Sequence, residues 1–114
     1  MYEYSAVVLR HVDGDTYKME VDLGFEVLRK ITLRLVGTKG GVDTPEIHGK
    51  TVVEGLAALR RVRELMPVGS TVTVATSVYK VDGFNRYLAQ ITLPDGRDLG
   101  DTLLAEGHAK VWTG

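Results

Sequence analysis

Three β-rich segments joined by short turns open the chain, and they constrain its fold more than any other feature. The segments cover residues 6–12, 17–23 and 26–36. Asp13-Gly14 separates the first two, and an Asp-Gly pair between alternating apolar residues is a strong hairpin signal. Alternation in the third segment predicts an inward-facing set of Val27, Ile31, Leu33 and Leu35. The sequence therefore predicts that the chain begins as an antiparallel meander.

An amphipathic helix is predicted to follow the meander. Its apolar residues recur at helical spacing and predict one buried face of Val52, Leu56, Leu59, Val62, Leu65 and Met66. Thr51 and Glu54 have the spacing of a capping box, in which both side chains accept hydrogen bonds from backbone amides at the helix start. Pro67 ends the pattern. Gly55 lies inside the helix at a cost of roughly 1 kcal/mol relative to alanine.

Two more strands and a short helix complete the predicted elements. Residues 70–80 and 87–93 alternate between apolar and polar side chains, Asp98 is placed to cap a short helix that Gly107 ends, and residues 109–112 are extended. Three strands, a helix, two strands and a short helix form the order of a Greek-key barrel. The predicted fold is mainly β with two helices, a five-stranded OB-fold β-barrel, and an α+β sandwich is the alternative.

Composition limits the function classes. The chain has 114 residues, which predicts a single domain over 1–114. Its net charge of −1 means that attraction to phosphate has to come from local clusters. The absence of cysteine excludes disulfides and thiolate metal sites. We expect a cytoplasmic protein without a membrane partner, since neither a signal-peptide pattern nor a run of about 18 apolar residues occurs; secretion would require a removed leader.

Separated carboxylates and arginines form the candidate site. Asp15 lies in the first turn, and Asp43 and Glu46 follow the third strand. Each group alone has an ordinary explanation, because Asp is common in turns and bonds to its own backbone in loops. Together with Arg34 and Arg86, these carboxylates supply separate parts of a site that would bind and hydrolyse a phosphodiester. Carboxylates bind a hard cation, and guanidinium groups bind phosphate oxygens with two parallel hydrogen bonds.

The motifs that contain these residues resemble those of the thermonuclease family, the staphylococcal-nuclease-like domains. The matching stretches are Val-Asp-Gly-Asp-Thr at 12–16, Leu-Arg-Leu at 33–35, Val-Asp-Thr-Pro-Glu at 42–46, Phe-Asn-Arg-Tyr-Leu-Ala at 84–89 and Leu-Leu-Ala-Glu-Gly-His-Ala at 103–109. They occur in order and span nearly the whole chain. The resemblance implies an SNase-like OB-fold domain and a calcium-dependent endonuclease that hydrolyses DNA and RNA, with single strands preferred.

The resemblance also implies a role for each matching residue. It assigns Ca²⁺ binding to the carboxylates of Asp15 and Asp43 and to the carbonyl oxygen of Thr44. The catalytic residues that it implies are Arg34, Glu46 and Arg86. The substrate-binding residues that it implies are Arg34, Arg86, Phe84 and Tyr87. Glu46 matches the carboxylate that positions or deprotonates the attacking water. Stacking on the nucleotide is assigned to Tyr87 or Trp112, because Thr113 lies about where some members of the family place a substrate-contacting tyrosine. Phe84 replaces another usual tyrosine and lacks the hydroxyl that could contact the nucleotide.

One departure from the family pattern concerns the site directly. Thr38-Lys39-Gly40-Gly41 lengthens the connection before Asp43 by four residues. We expect this insert to bulge outward, because lengthening a surface loop costs little free energy. Asp43 and Glu46 would then remain near Asp15. The alternative is that the insert displaces both carboxylates.

A second function hypothesis comes from another class. OB barrels also bind single strands without chemistry, so the chain is alternatively a catalytically impaired SNase-like module that binds nucleic acid or a protein partner. The carboxylate cluster favours the enzyme hypothesis, because a protein that only binds nucleic acid has no need of carboxylates that repel phosphate. A monomer is expected, and a homo-oligomer is the alternative.

Overall fold

A computed structural model describes residues 2–81 and 86–112. The strands are β1 Tyr2–His11, β2 Thr16–Asp22, β3 Leu28–Gly37, β4 Gly40–Asp43, β5 Thr71–Val81, β6 Tyr87–Thr92 and β7 Lys110–Val111. The helices are α1 Val52–Leu65 and α2 Leu99–Ala105, and a 3₁₀ turn at Gly49–Thr51 leads into α1. None of the described helices is long and apolar enough to cross a bilayer.

Five of the strands close into a barrel. β1 pairs antiparallel with β2 and β5, β2 with β3, and β5 with β6. Parallel pairing of β3 with β6, from Leu33 opposite Tyr87 to Leu35 opposite Ala89, completes the circle. The chain is therefore mainly β with two helices and a closed, OB-fold-like barrel. This confirms the predicted fold class and excludes the sandwich.

Alternate side chains of the barrel strands fill its interior. Fully buried members are Val8, Tyr17, Met19, Leu33, Leu35 and Ile91. Val62 and Met66 near the end of α1 and Leu103 of α2 join the same apolar cluster, so both helices cover the barrel. Two residues that were predicted to be buried are exposed. Val27, beside the β2–β3 turn, is 50% exposed, and Leu56 of α1 is 47% exposed.

Helix α1 begins differently from the prediction. Thr51 makes no capping hydrogen bond to the helix, so the predicted capping box with Glu54 is wrong. The Thr51 hydroxyl instead donates to the carbonyl oxygen of Glu46 at 3.0 Å. The predicted cap of α2 is confirmed, because Asp98 Oδ1 accepts from the Asp101 amide at 2.8 Å.

The insert lies outside the five-stranded barrel, as expected, but it forms the tip of a β-hairpin rather than an unpaired loop. Its two glycines begin β4, which pairs with β3 on one side and with β7 on the other. The Thr38 amide donates to Asp101 Oδ1 at 3.0 Å and thereby ties the hairpin tip to α2. A Cβ atom on Gly41 would lie 2.7 Å from Trp112 Cε3. Only glycine therefore lets Trp112 lie against β4.

Candidate functional site

Separated chain segments meet at one pocket beside the barrel. Its volume is about 370 Å³, and its lining residues are Asp13, Asp15, Arg34, Asp43, Thr44, Pro45, Glu46, Arg86 and Trp112. All the residues that the sequence assigned to metal binding and catalysis are in this set. Tyr87 lines other depressions on the barrel, and Phe84 is outside the described residues.

Asp15 holds two of these segments together. Its side chain is buried, and Oδ2 accepts hydrogen bonds from the amide of Thr44 at 3.0 Å and from the Thr44 hydroxyl at 3.1 Å. Oδ1 accepts from the Thr16 hydroxyl at 3.3 Å. The turn after β1 and the segment after β4 are therefore joined through one carboxylate, and the insert has not separated them.

Arg34 bridges the two carboxylates assigned to the metal. Its side chain is buried, with Nη1 3.4 Å from Asp15 Oδ2 and Nη2 3.3 Å from Asp43 Oδ1. Nη1 also donates to the carbonyl oxygens of Val42 at 2.6 Å and Leu35 at 3.3 Å. Within the described part of the chain, these contacts use Nη1 and one hydrogen of Nη2. The described residues provide no hydrogen-bond partner for the Nε hydrogen or the second Nη2 hydrogen.

Arg86 and Trp112 complete the wall around Arg34. Arg86 Nη1 donates to the Thr16 hydroxyl at 2.9 Å, which places a second guanidinium beside the Asp15 turn. The Trp112 ring lies 5.4 Å from Arg34 Cζ in a cation–π contact. The sequence suggested Trp112 for stacking but gave no sign of this contact, which depends on the long-range pairing of β4 with β7.

The backbone at Glu46 is packed against helix α1. A Cβ atom on Gly55 would lie 2.2 Å from the Glu46 carbonyl oxygen and 2.9 Å from the Ile47 amide nitrogen. The glycine that sequence reasoning counted only as a cost to the helix allows this close approach. Glycine at position 55 therefore helps to set where Glu46 enters the pocket.

Negative charge exceeds positive charge in the pocket. Burial, the hydrogen bond with Asp15 and the Asp15 charge raise the pKa of Asp13 to about 6. Burial first, and then the Asp15 charge, raise the pKa of Asp43 although Arg34 opposes the shift. Burial is the larger cause of both shifts, and repulsion by the neighbouring Asp15 charge adds to it. A bound cation would relieve that repulsion.

The donor set fits a hard divalent cation. Asp15, Asp43 and the Thr44 carbonyl offer oxygen atoms, the ligands that Ca²⁺ takes. Among residues 2–81 and 86–112, no three acidic or histidine side chains converge on one point as a ready-made metal cluster. The assigned set contains only two carboxylates and does not require such a cluster.

Comparisons of the chain with known proteins do not identify a family. The chain matches no family model and no curated protein. Its function has to be inferred from the barrel and the pocket.

Proposed function

We propose that this chain is a calcium-dependent nuclease of the thermonuclease type, which hydrolyses phosphodiester bonds in single-stranded DNA and RNA. One observation carries the proposal. Arg34, Arg86 and Glu46 line the same pocket as the Asp15 and Asp43 carboxylates, although they come from distant parts of the chain. Metal-assisted hydrolysis needs positive groups that bind the phosphate, a general base and carboxylates that hold the metal. The two guanidinium groups, Glu46 and the two aspartates would supply these parts.

Each side chain would have a distinct task. The remaining N–H groups of Arg34, together with Arg86, would bind the nonbridging oxygens and stabilise the charge that develops on them. Glu46 would orient the attacking water and accept its proton. Ca²⁺ held by Asp15, Asp43 and the Thr44 carbonyl would act as a Lewis acid on the phosphate.

A second candidate function is binding of nucleic acid without hydrolysis. The observation that favours it is the position of Arg34 between Asp15 and Asp43, where a guanidinium already balances both carboxylates. If that bridge persists with nucleic acid bound, the pair is unavailable to calcium. The chain would then bind nucleic acid and leave it intact.

An activity assay separates the two candidates. End-labelled single-stranded DNA and RNA are incubated with the protein in calcium, in magnesium or in excess chelator, and the fragments are resolved on a gel. Cleavage is expected in calcium alone, because magnesium demands stricter octahedral geometry. Unchanged cleavage in chelator would contradict the proposal, and calorimetry without a heat of calcium binding would overturn the metal assignment.

Matched variants test the assigned base. Glu46→Gln should lower turnover by about 100-fold or more, the usual effect of losing a general base. Glu64→Gln is the control, because this exposed side chain on α1 lies outside the pocket. Equal rates in both variants would remove Glu46 from the mechanism. Binding of the labelled strand without cleavage would support the second candidate.

A further inference from the structure

A depression over the first three strands is lined by a cluster of cations that the candidate site does not use. Arg10, Lys18, Arg29 and Lys30 are exposed and line this depression of about 380 Å³. We call these four residues the cationic face. In the described part of the chain, no carboxylate forms an ion pair with Arg10, Lys18 or Lys30. On a chain with net charge −1, this is a local concentration of positive charge.

Two lysines of the cationic face lie on the same side of the sheet as Arg34 of the candidate pocket, although the two depressions share no lining residue. Alternate residues of a strand share one side of a sheet, so Lys30 lies on the same side of β3 as Arg34. At about 3.4 Å per residue, the four steps between them span about 14 Å. On β2, Lys18 follows Thr16, which pairs with Arg34 across the strands. An extended polyanion held at Arg34 can therefore run along β3 past both lysines.

Three tyrosines lie beside the cationic face. Tyr2, Tyr4 and Tyr87 line a second, largely apolar depression of about 220 Å³, which we call the tyrosine mouth. The Tyr2 and Tyr4 rings are stacked, with centroids 6.4 Å apart and planes inclined by 15°. Arg29 lines both depressions, and its Cζ lies 5.7 Å from the centroid of the Tyr87 ring. Positive charge and aromatic surface are thus continuous.

We propose that the cationic face and the tyrosine mouth form a binding surface for single-stranded nucleic acid. Phosphates bind to the cations, and unpaired bases stack on the tyrosines. This combination is how proteins bind single strands without sequence preference. The link to catalysis rests on the proposed function, because only a nuclease would use the surface to guide a strand into its catalytic pocket. Binding of the strand to the surface does not depend on hydrolysis.

The charge distribution favours this ligand over other polyanions. An acidic protein or an anionic membrane would be attracted by Lys18 and Lys30 but has no bases to place on the tyrosines. Glu20 lies opposite Lys30 on the neighbouring strand and opposes any polyanion. Glu20→Gln is therefore expected to increase affinity for a single strand.

Fluorescence anisotropy with a labelled dodecamer of thymidylate tests the surface. The buffer contains chelator, so that binding is measured without cleavage. The double variant Lys18→Ala/Lys30→Ala should bind about tenfold more weakly, and the slope of log K against log salt should fall by about 1.4, or 0.7 per lost phosphate contact. Tyr87→Leu should also lose about tenfold but keep the salt slope, because stacking is uncharged.

Controls separate the surface from general charge effects. Arg60→Ala/Arg63→Ala removes the same charge from exposed positions on α1 and should leave affinity unchanged. Lys18→Arg/Lys30→Arg should preserve affinity, and circular dichroism checks that each variant is folded. Equal losses in the α1 and β-strand variants would overturn the proposal. So would an effect confined to binding of phosphatidylserine vesicles or an acidic peptide.

The outcome is independent of the nuclease assay. A protein that binds the dodecamer through Lys18 and Lys30 but never cleaves it would support the surface and refute the proposed activity. If the parent protein cleaves in calcium and the Lys18→Ala/Lys30→Ala variant binds the dodecamer normally, the proposed activity is supported and the proposed surface is refuted.

Discussion

At the scale of single residues, Arg34 has both a structural and a chemical role. It satisfies two buried carbonyl oxygens and contacts two carboxylates from a position with only 6% exposure. Arg34→Ala would leave the buried Asp15 charge without its cation, so we expect destabilisation of about 3–5 kcal/mol. Urea unfolding measures this loss. Arg60→Ala is the matched control and should change stability by less than about 0.5 kcal/mol.

Arg34→Lys separates the two roles. A lysine keeps the positive charge between Asp15 and Asp43 but cannot form the planar pair of hydrogen bonds to phosphate. We therefore expect it to recover part of the stability and little of the activity. Full recovery of cleavage in the lysine variant would show that Arg34 acts as a simple charge.

A second residue, His11, is expected to make stability depend on pH. Its Nε2 donates to the Met66 carbonyl oxygen at 2.9 Å, and burial lowers its pKa below the ordinary 6.5 despite that bond. Below pH 6.5 the unfolded chain gains the proton first, so this contribution to stability is complete above that pH and is lost as pH falls. His11→Gln should reduce the loss between pH 7 and 5 in urea titrations. His48→Gln, at an exposed position, should not.

At the scale of elements, α1 both covers the barrel and positions Glu46. Gly55→Ala would ordinarily stabilise a helix by about 1 kcal/mol. Here the new methyl group would collide with the Glu46 backbone, so we expect destabilisation of about 1–3 kcal/mol and weaker cleavage. Val53→Ala, at a 74% exposed position on the same helix, provides the control. A Gly55→Ala variant that is more stable than the parent would contradict the packing.

At the scale of the whole molecule, the sequence predicted the features that neighbouring residues encode and missed those that depend on contacts between distant parts of the chain. Alternation within β1, β2 and β3 predicted the meander because each barrel strand buries every second residue. The carboxylates and arginines were found because their motifs are contiguous. The pairing of β4 with β7 joins residues about 70 positions apart through very short strands, and no local pattern encodes it. The apolar face of α1 was misassigned at Leu56 because small residues, Gly55 and Ala58, make the contact instead.

Deletion of residues 38–41 tests whether the insert belongs to the site or only to the surface. β4 is outside the five-stranded barrel, so the barrel should still form. The variant loses hydrogen bonds from Thr38 to Asp101 and from the Trp112 amide to Gly41. At about 1 kcal/mol each, these losses predict destabilisation on the order of 3 kcal/mol. Trp112 is the only tryptophan, so its emission reports the change directly.

The same deletion should move Trp112 away from Arg34, because the chain segment that seats the ring is gone. We expect a red shift of the emission and easier quenching by acrylamide than in the parent. Thr38→Val is the matched control, since it removes one hydroxyl bond to Asp101 but keeps β4 and the Trp112 contact. A deletion variant with parental emission and parental stability would show that β4 does not hold Trp112. The contact with Arg34 would then have to arise from the ring and the guanidinium alone.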